Sequence, residues 1–442
     1  MKINTLRLHN FRKFVDYKFQ FHPQFTVLIG DNASGKSSIL DALSVMLGTY
    51  LLRFPVEVGR TGIKKEEARL KIFEINDQVT QEQQKPTFLE AQGTLHGNKV
   101  EWKRNLLDRG KEARELIQMG EDDLAKVSEG KEVELPILLY YGTGRLWDKH
   151  RKVPLGKPES RAVGYRNCLD PKSDHYLFEK WFKQFELVAL QKKRQIGAME
   201  AVREAVKICI PGAENFYFDV ANDGLMIELK DEGYCLFDNL SDGYQNMVAM
   251  VADIAHRAAR LNPHLDISAA TNTSGIVIID EIDLHLHPKW QRCVIGDLKK
   301  AFPKIQFIAT THSPFILQSL DPGEVIDLNK MNDKSNINID NDIANPPPEG
   351  EYSNKSIEDI IEDVMGIEVP QRSRRYNEMY SAAKAYFQVL QEAENVSPEK
   401  KEELKRRLDE LSSPFSDNPA YHAFLEMERM AAGMGKSKQE NK

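Results

Sequence analysis

Three stretches of the chain hold residue types that could work together on a phosphoanhydride. The first, Gly30-Asp31-Asn32-Ala33-Ser34-Gly35-Lys36-Ser37, has the form G-x-x-x-x-G-K-[ST]. Its glycines let backbone N–H groups curl around phosphate oxygens. Lys36 would reach the β and γ phosphates, and Ser37 would hold Mg²⁺. Ser38 continues into a helix whose first turn adds unpaired donors and the positive end of its dipole. The second is Gly275-Ile276-Val277-Ile278-Ile279-Asp280-Glu281, a β-branched run ending in two carboxylates. Asp280 is placed to bind Mg²⁺, directly or through water, and Glu281 to polarise an attacking water. The third is Ile305–Thr310 followed by Thr311 and His312, where the imidazole past a strand end can donate to a γ-phosphate. Together they spell nucleoside triphosphate hydrolysis.

Such residues need a scaffold. Phe25–Ile29 reads as the buried strand before the loop, and Ser38–Leu43 as the helix after it. From Met1 to Ile29 apolar residues alternate (Ile3, Leu6, Leu8, Phe19, Phe21), which predicts antiparallel strands turning at Asn10 and His22-Pro23. Asn10-Phe11-Arg12-Lys13-Phe14 is either a solvated hairpin tip or a cationic, aromatic rim beside the nucleotide, with Arg12 its candidate ligand. Ala68–Ile75 and Phe88–Leu95 look like paired strands continued by Lys99–Arg104, and Lys111–Lys126 is helical. Leu135–Tyr141 forms a short buried strand stopping at Gly142-Thr143-Gly144; Arg145, next in line, either faces the nucleotide or is a loop charge.

The next segment is basic: Arg145, Lys149, His150, Arg151, Lys152, Lys157, Arg161 and Arg166. It is a solvated face or a contact for nucleic acid or an acidic partner. Tyr176–Ile208 turns helical, with Phe178, Trp181, Phe182, Phe185, Leu187 and Val188 as expected core. Strands return at Phe216–Phe218 and Leu225–Leu229. Leu240-Ser241-Asp242-Gly243-Tyr244-Gln245 then opens a helix, capped by Ser241 or Asp242, whose terminal amides can hold an anion. His285 and His287 alternate but lack further metal ligands. Lys330–Glu351 is polar, contains Pro346-Pro347-Pro348, and reads as a linker. Its Asp340 and Asp342 raise a metal-dependent nuclease, which lacks a surrounding acidic sheet. Ile357–Met434 is helical, with starts at Ser397-Pro398 and Asn418-Pro419 and one face formed by Ala423, Phe424, Met427 and Met430.

Composition bounds the reading. The 442 residues suffice for two or three domains and a core that needs no staples. The net charge of −7 excludes a strongly basic surface overall, though not a basic patch. Cys168, Cys209, Cys235 and Cys293 form no C-x-x-C pair, which argues against a zinc site or a disulfide framework and fits a reducing cytoplasm. No apolar run approaches the ~20 residues of a membrane span.

Gly30–Ser37, Leu240–Gln245, Asp280-Glu281, Asp283 and His312 stand in the order Walker A, signature, Walker B, D-loop and switch histidine. The set resembles ABC-type ATPases of the structural-maintenance and RecF-like branch. That resemblance implies ATP and Mg²⁺ as cofactors and an active head-to-tail dimer in which Ser241 and Gly243 bind the γ-phosphate held by the other subunit. The fold it implies is α/β: a P-loop ATPase head with a mixed central sheet, an antiparallel β lobe, an inserted helical lobe and a C-terminal helical tail. Its parts would be an N-terminal lobe over 1–150, a helical insertion over 151–212, a second ATPase lobe over 213–330, a linker over 331–356 and a helical partner region over 357–442. Two departures stand out. The signature is L-S-D-G-Y-Q rather than the transporter L-S-G-G-Q, and Tyr141–Arg145 stands where a glutamine loop is expected.

Tyr140–Trp147, Gly164–Asp170, Asp280–Pro288, Asp417–Ala420 and Phe424–Met427 are further similar to the PtuA-like ATPase subunits of Septu-type antiphage systems. In that family the ATPase pairs with, and controls, a separate HNH nuclease, PtuB. The resemblance therefore implies self-association and a PtuB-like partner. The alternative is a RecF-like repair or replication ATPase that binds DNA through the basic run.

Overall fold

The computed structural model describes residues 1–75, 78–106, 110–144, 160–171, 176–332, 343–344, 352–365, 374–392, 398–415 and 419–434. Two compact units divide the chain, Met1–Ile360 and Ile361–Lys442. The strands, in chain order, are β1 (Lys2–Phe11), β2 (Phe14–Gln20), β3 (Phe25–Ile29), β4 (Leu70–Ile75), β5 (Gln78–Gln83), β6 (Phe88–Leu95), β7 (Asn98–Asn105) and β8 (Ile137–Tyr141). They continue as β9 (Ala213–Asp219), β10 (Gly224–Leu229), β11 (Gly233–Leu236), β12 (Gly275–Ile279), β13 (Ile305–Thr310), β14 (Val325–Asp327) and β15 (Ile343–Ala344). Helices α1 (Lys36–Gly48), α2 (Arg114–Ser128), α3 (Tyr176–Lys192), α4 (Gly197–Cys209) and α5 (Asp242–Leu261) belong to the first unit.

β3, β8, β12 and β13 are buried at every position. Unbroken apolar strands of this kind suit a sheet covered on both faces. They form, with β14, a five-stranded parallel sheet in the order β14-β3-β13-β12-β8. Register aligns Ile279 with both Ala309 and Tyr141, and Thr310 with Leu28. The carboxyl ends of four strands therefore finish level, where open α/β sheets take their ligands. A separate sheet, in the order β15-β2-β1-β6-β7, is antiparallel except for the parallel β15–β2 pair, so the expected mixture of directions is spread over separate sheets. Buried Gln306 stitches the two together: its amide accepts from Ile3 N and donates to Ile3 O, both at 2.8 Å, and to His22 O at 2.9 Å.

One pairing differs from expectation. Leu70–Ile75 pairs with Gln78–Gln83 as a separate hairpin, while β6 lies between β1 and β7. β6 buries Leu89, Ala91 and Leu95 against the core, whereas Leu70, Ile72 and Val79 are 50, 63 and 66% exposed. Apolar alternation marks both segments as strands; burial separates them. The helical stretch after Tyr176 is two helices, broken where Lys193 adopts a positive φ of 49°. Phe178, Trp181 and Phe182 are buried as expected, and Phe185, Leu187 and Val188 only half so. Phe178 and Phe182 pack on Phe216 of β9, and Phe178 and Trp181 on His256 of α5.

The second unit holds helices Arg374–Glu392, Pro398–Ser412 and Pro419–Ala431 around a core of Tyr386, Val389, Leu390, Leu404, Leu408, Leu425 and Met434. Phe424, Met427 and Met430 share a stripe on the last of these, and they are exposed. No helix among the described residues is long and apolar enough to cross a membrane.

Candidate nucleotide site

The loop from Gly30 to Ser37 is shaped by its own backbone. Gly30, Ala33 and Gly35 have φ of 140°, 65° and 105°. A Cβ on Gly35 would lie 2.6 Å from the Phe14 ring, so that position requires glycine. The Lys36 ammonium donates to the carbonyls of Gly30 at 2.6 Å and Asp31 at 3.0 Å, folded back inside the loop. Burial lowers its pKa, while Asp280, Asp31 and Glu281 act in the opposite direction. Lys13 donates to Ala33 O at 3.0 Å, and Asn32 is exposed. Ser34 is buried, and its hydroxyl has no hydrogen-bond partner among the described residues. The Asp31 N–H donates to the side-chain carbonyl of Asn329 at 3.0 Å.

Ser37 Oγ lies 3.4 Å from Asp280 Oδ2, on the facing strand end. Two hard oxygen donors side by side fit Mg²⁺, which prefers few protein ligands and completes its shell with water and phosphate. Asp280 Oδ1 accepts from Thr310 Oγ1 at 2.6 Å, and the Glu281 N–H donates to the same hydroxyl at 2.7 Å. The Asp280 N–H donates to Tyr141 O at 2.8 Å, fixing the carboxylates to β8 as well. His312 is exposed two residues beyond Thr310. Asp283 accepts from Thr311 Oγ1 at 2.5 Å. Lys36, Ser37, Asp280, Glu281 and His312 thus share one end of the parallel sheet.

Ser241 stands at the N-cap of α5, exposed, and its hydroxyl makes no capping bond. A Cβ on Gly243 would meet His285 O at 2.4 Å, which ties the signature turn to the loop after Asp283. Gln245 holds that turn by donating to the carbonyls of Phe237, Asp238 and Leu240. A cleft of about 490 Å³ beside Ser241 is lined by Tyr234, Leu240 and Tyr244.

Arg12 is drawn into an ion cluster. Its guanidinium meets Asp41 at 2.5 Å and Glu67 at 2.8 Å, with Ser38 Oγ at 3.4 Å. Arg60 pairs with the same two carboxylates. Burial alone would lower the Arg12 pKa, but Asp41 and Glu67 prevail and raise it. The cluster lines a cleft of about 930 Å³ together with Lys64, Leu70 and Tyr140.

Arg145, Lys149, His150, Arg151, Lys152 and Lys157 of the basic run lie outside the described residues, as do Asp340, Asp342, Pro346-Pro347-Pro348, Ser397 and Asn418. Arg161 spends its guanidinium on the carbonyls of Lys131, Val133 and Leu261. His287 caps a short helix by accepting from Lys289 N at 3.3 Å. No group of three or more His, Cys, Asp or Glu suited to a metal occurs among the described residues. Cys168, Cys209, Cys235 and Cys293 are free thiols, and burial pushes Cys168 up to about 12. Sequence reasoning did not find Asn329, Thr310 or the buried Asp253–Arg257 pair of α5. The last had a visible signal: two opposite charges four residues apart on an otherwise apolar helix face.

Residues 1–150 match the family model described as "AAA ATPase domain", and residues 209–318 match "AAA domain, putative AbiEii toxin, Type IV TA system". The chain is 24% identical to the "Retron Vc95 probable ATPase" of Vibrio cholerae serotype O1 biovar El Tor, covering 75% of this chain and 74% of that one. It is 26% identical to "Septu protein PtuA" of Bacillus mycoides (strain KBAB4), over 73% of this chain and 40% of that one. Among solved structures, the SMC head domain from Thermotoga maritima aligns with a TM-score of 0.40 and 14% identity, covering 74% of this chain and 94% of that one. The chain is an ATPase whose relatives include proteins named Septu protein PtuA and retron probable ATPases.

Proposed function

We propose that the chain binds ATP with Mg²⁺ at the Gly30–Ser37 loop, hydrolyses it slowly, and uses the nucleotide state to regulate a separate HNH nuclease in antiphage defence. The observation that carries the catalytic part is the meeting of Ser37 and Asp280 at 3.4 Å, with Glu281 next in the chain. Lys36 would leave its carbonyl partners for the β and γ phosphates. Bound Mg²⁺ would neutralise phosphate charge between Ser37 and Asp280. Glu281 takes the proton of the attacking water, and His312 donates to the γ-phosphate.

The partner part rests on the resemblance to PtuA. The head-to-tail dimer is supported by Ser241, an exposed helix start whose hydroxyl has no capping task. Its amides gain an anion when a second copy brings one. Glu281→Gln should keep ATP binding, stop hydrolysis and accumulate a dimer in ATP. Light scattering that finds only monomer in that variant would sink the cross-subunit reading. A pull-down of the tagged chain from its native locus should recover an HNH nuclease in stoichiometric amount. Recovery of DNA with repair factors and no nuclease would favour the RecF-like alternative.

A further inference from the structure

We infer that Thr310 is a positioning residue for both halves of the hydrolytic site, orienting Asp280 toward the metal position and holding Glu281 in its working conformation. The inference rests on the reading of Asp280 as metal ligand and Glu281 as base.

Thr310 closes β13 and is fully buried. Its hydroxyl lies 2.6 Å from Asp280 Oδ1 and 2.7 Å from the Glu281 nitrogen. A backbone N–H can only donate, so the hydroxyl accepts there and its own proton goes to the carboxylate. The Thr310 carbonyl accepts from the Ile282 N–H at 2.9 Å. One residue therefore takes the two consecutive amides that flank the Glu281 side chain.

That matters because Glu281 has φ of 51°, a left-handed conformation that costs any residue carrying a Cβ. Such backbone persists where its surroundings over-determine it. The two hydrogen bonds to Thr310 do so here, and they fix where the Glu281 carboxylate departs from the strand end. At Asp280, Thr310 engages Oδ1, which turns Oδ2 toward Ser37. A carboxylate held by one oxygen presents the other in a single direction, the usual work of an outer partner at a metal site. The parallel register that aligns Ile279 with Ala309 is what sets the hydroxyl beside both groups.

Valine has the size of threonine without the hydroxyl, and serine keeps the hydroxyl. Free Mn²⁺ measured by electron paramagnetic resonance, with a non-hydrolysable ATP analogue present, reports metal affinity apart from turnover. Thr310→Val should weaken Mn²⁺ binding on the order of ten-fold and raise the Mg²⁺ half-saturation of hydrolysis similarly. Thr310→Ser should stay near wild type, and analogue binding in EDTA should be unchanged in both. Wild-type Mn²⁺ affinity in Thr310→Val, or an equal loss in Thr310→Ser, overturns the inference. If Thr310→Val loses analogue binding in EDTA, Thr310→Cys, with a weak donor of similar size, is read by the same criteria. A wild-type chain without Mg²⁺-dependent hydrolysis would instead remove the catalytic reading, and the Mn²⁺ comparison would still decide the role of Thr310.

Discussion

The Tyr141 hydroxyl donates to Asp253 Oδ2 at 2.8 Å, so the strand that supports Asp280 is joined inside the core to the helix that starts at Ser241. Arg257 completes the pair at 2.9 and 3.0 Å and donates to the carbonyls of Gly164 and Arg166. These contacts hold the Asp253 carboxyl well below its ordinary range against a burial cost that acts to raise it. Tyr141→Phe, which leaves the Arg257 pair intact, should cost roughly 1.5–3 kcal/mol. Asp253→Ala strands a buried guanidinium and should cost about 3–5 kcal/mol. Urea denaturation midpoints give the order directly, and equal midpoints for the two variants would contradict it.

His256, on the same helix, is buried beside Trp181 and Phe178. Burial lowers its pKa from 6.5 to about 4, despite Asp253 at 3.7 Å. Between those values the unfolded chain binds a proton that the folded one does not. Stability therefore falls as pH drops from 6.5 toward 4, by at most about 1.4 kcal/mol per unit. His256→Phe should flatten that part of the stability profile. A slope unchanged by the substitution would assign it to other groups.

Asn329 props the phosphate loop through the Asp31 N–H, and its own N–H donates to Asp327 at 3.0 Å. Asn329→Ala leaves the loop to be ordered by the nucleotide itself, and a hydrogen bond of this kind is worth about 1 kcal/mol. The ATP KM should rise about three- to ten-fold with kcat little changed. A fall in kcat at unchanged KM would place Asn329 in the chemical step instead.

Arg12 sits between two roles that a pair of variants separates. As a cluster member held by Asp41 and Glu67, it should tolerate Arg12→Ala with less than about a ten-fold loss of ATP affinity, and Glu67→Gln should cost a similar factor. As a phosphate ligand, it would lose about 10–100-fold on Arg12→Ala, while Glu67→Gln would leave affinity intact. The first pattern is expected, and calorimetric titration with ATP decides it.

The candidate catalytic residues were legible because each motif is local. The turn of Gly30–Ser37 follows from glycine freedom within eight consecutive residues, and the burial of Ile276–Ile279 from four adjacent apolar side chains. Strand existence was equally plain. Strand partnership was not: β4 and β6 carry comparable alternation, and only the packing assigns one to the exposed hairpin and the other to the core. The buried charges of α5 are masked in the sequence by the apolar periodicity around them.

By itself the sequence determined which groups could bind phosphate and metal, since those properties are built into side-chain chemistry and short backbone runs. Tertiary structure alone decided what holds them. Asn329 and Asp31 stand 298 positions apart, Tyr141 and Asp253 112, and Thr310 and Asp280 30. Such pairs meet only after parallel strands align and helices dock. A hydrogen bond needs its two atoms within a few tenths of an ångström of their proper separation, and residue order does not encode that distance until the sheet register is set.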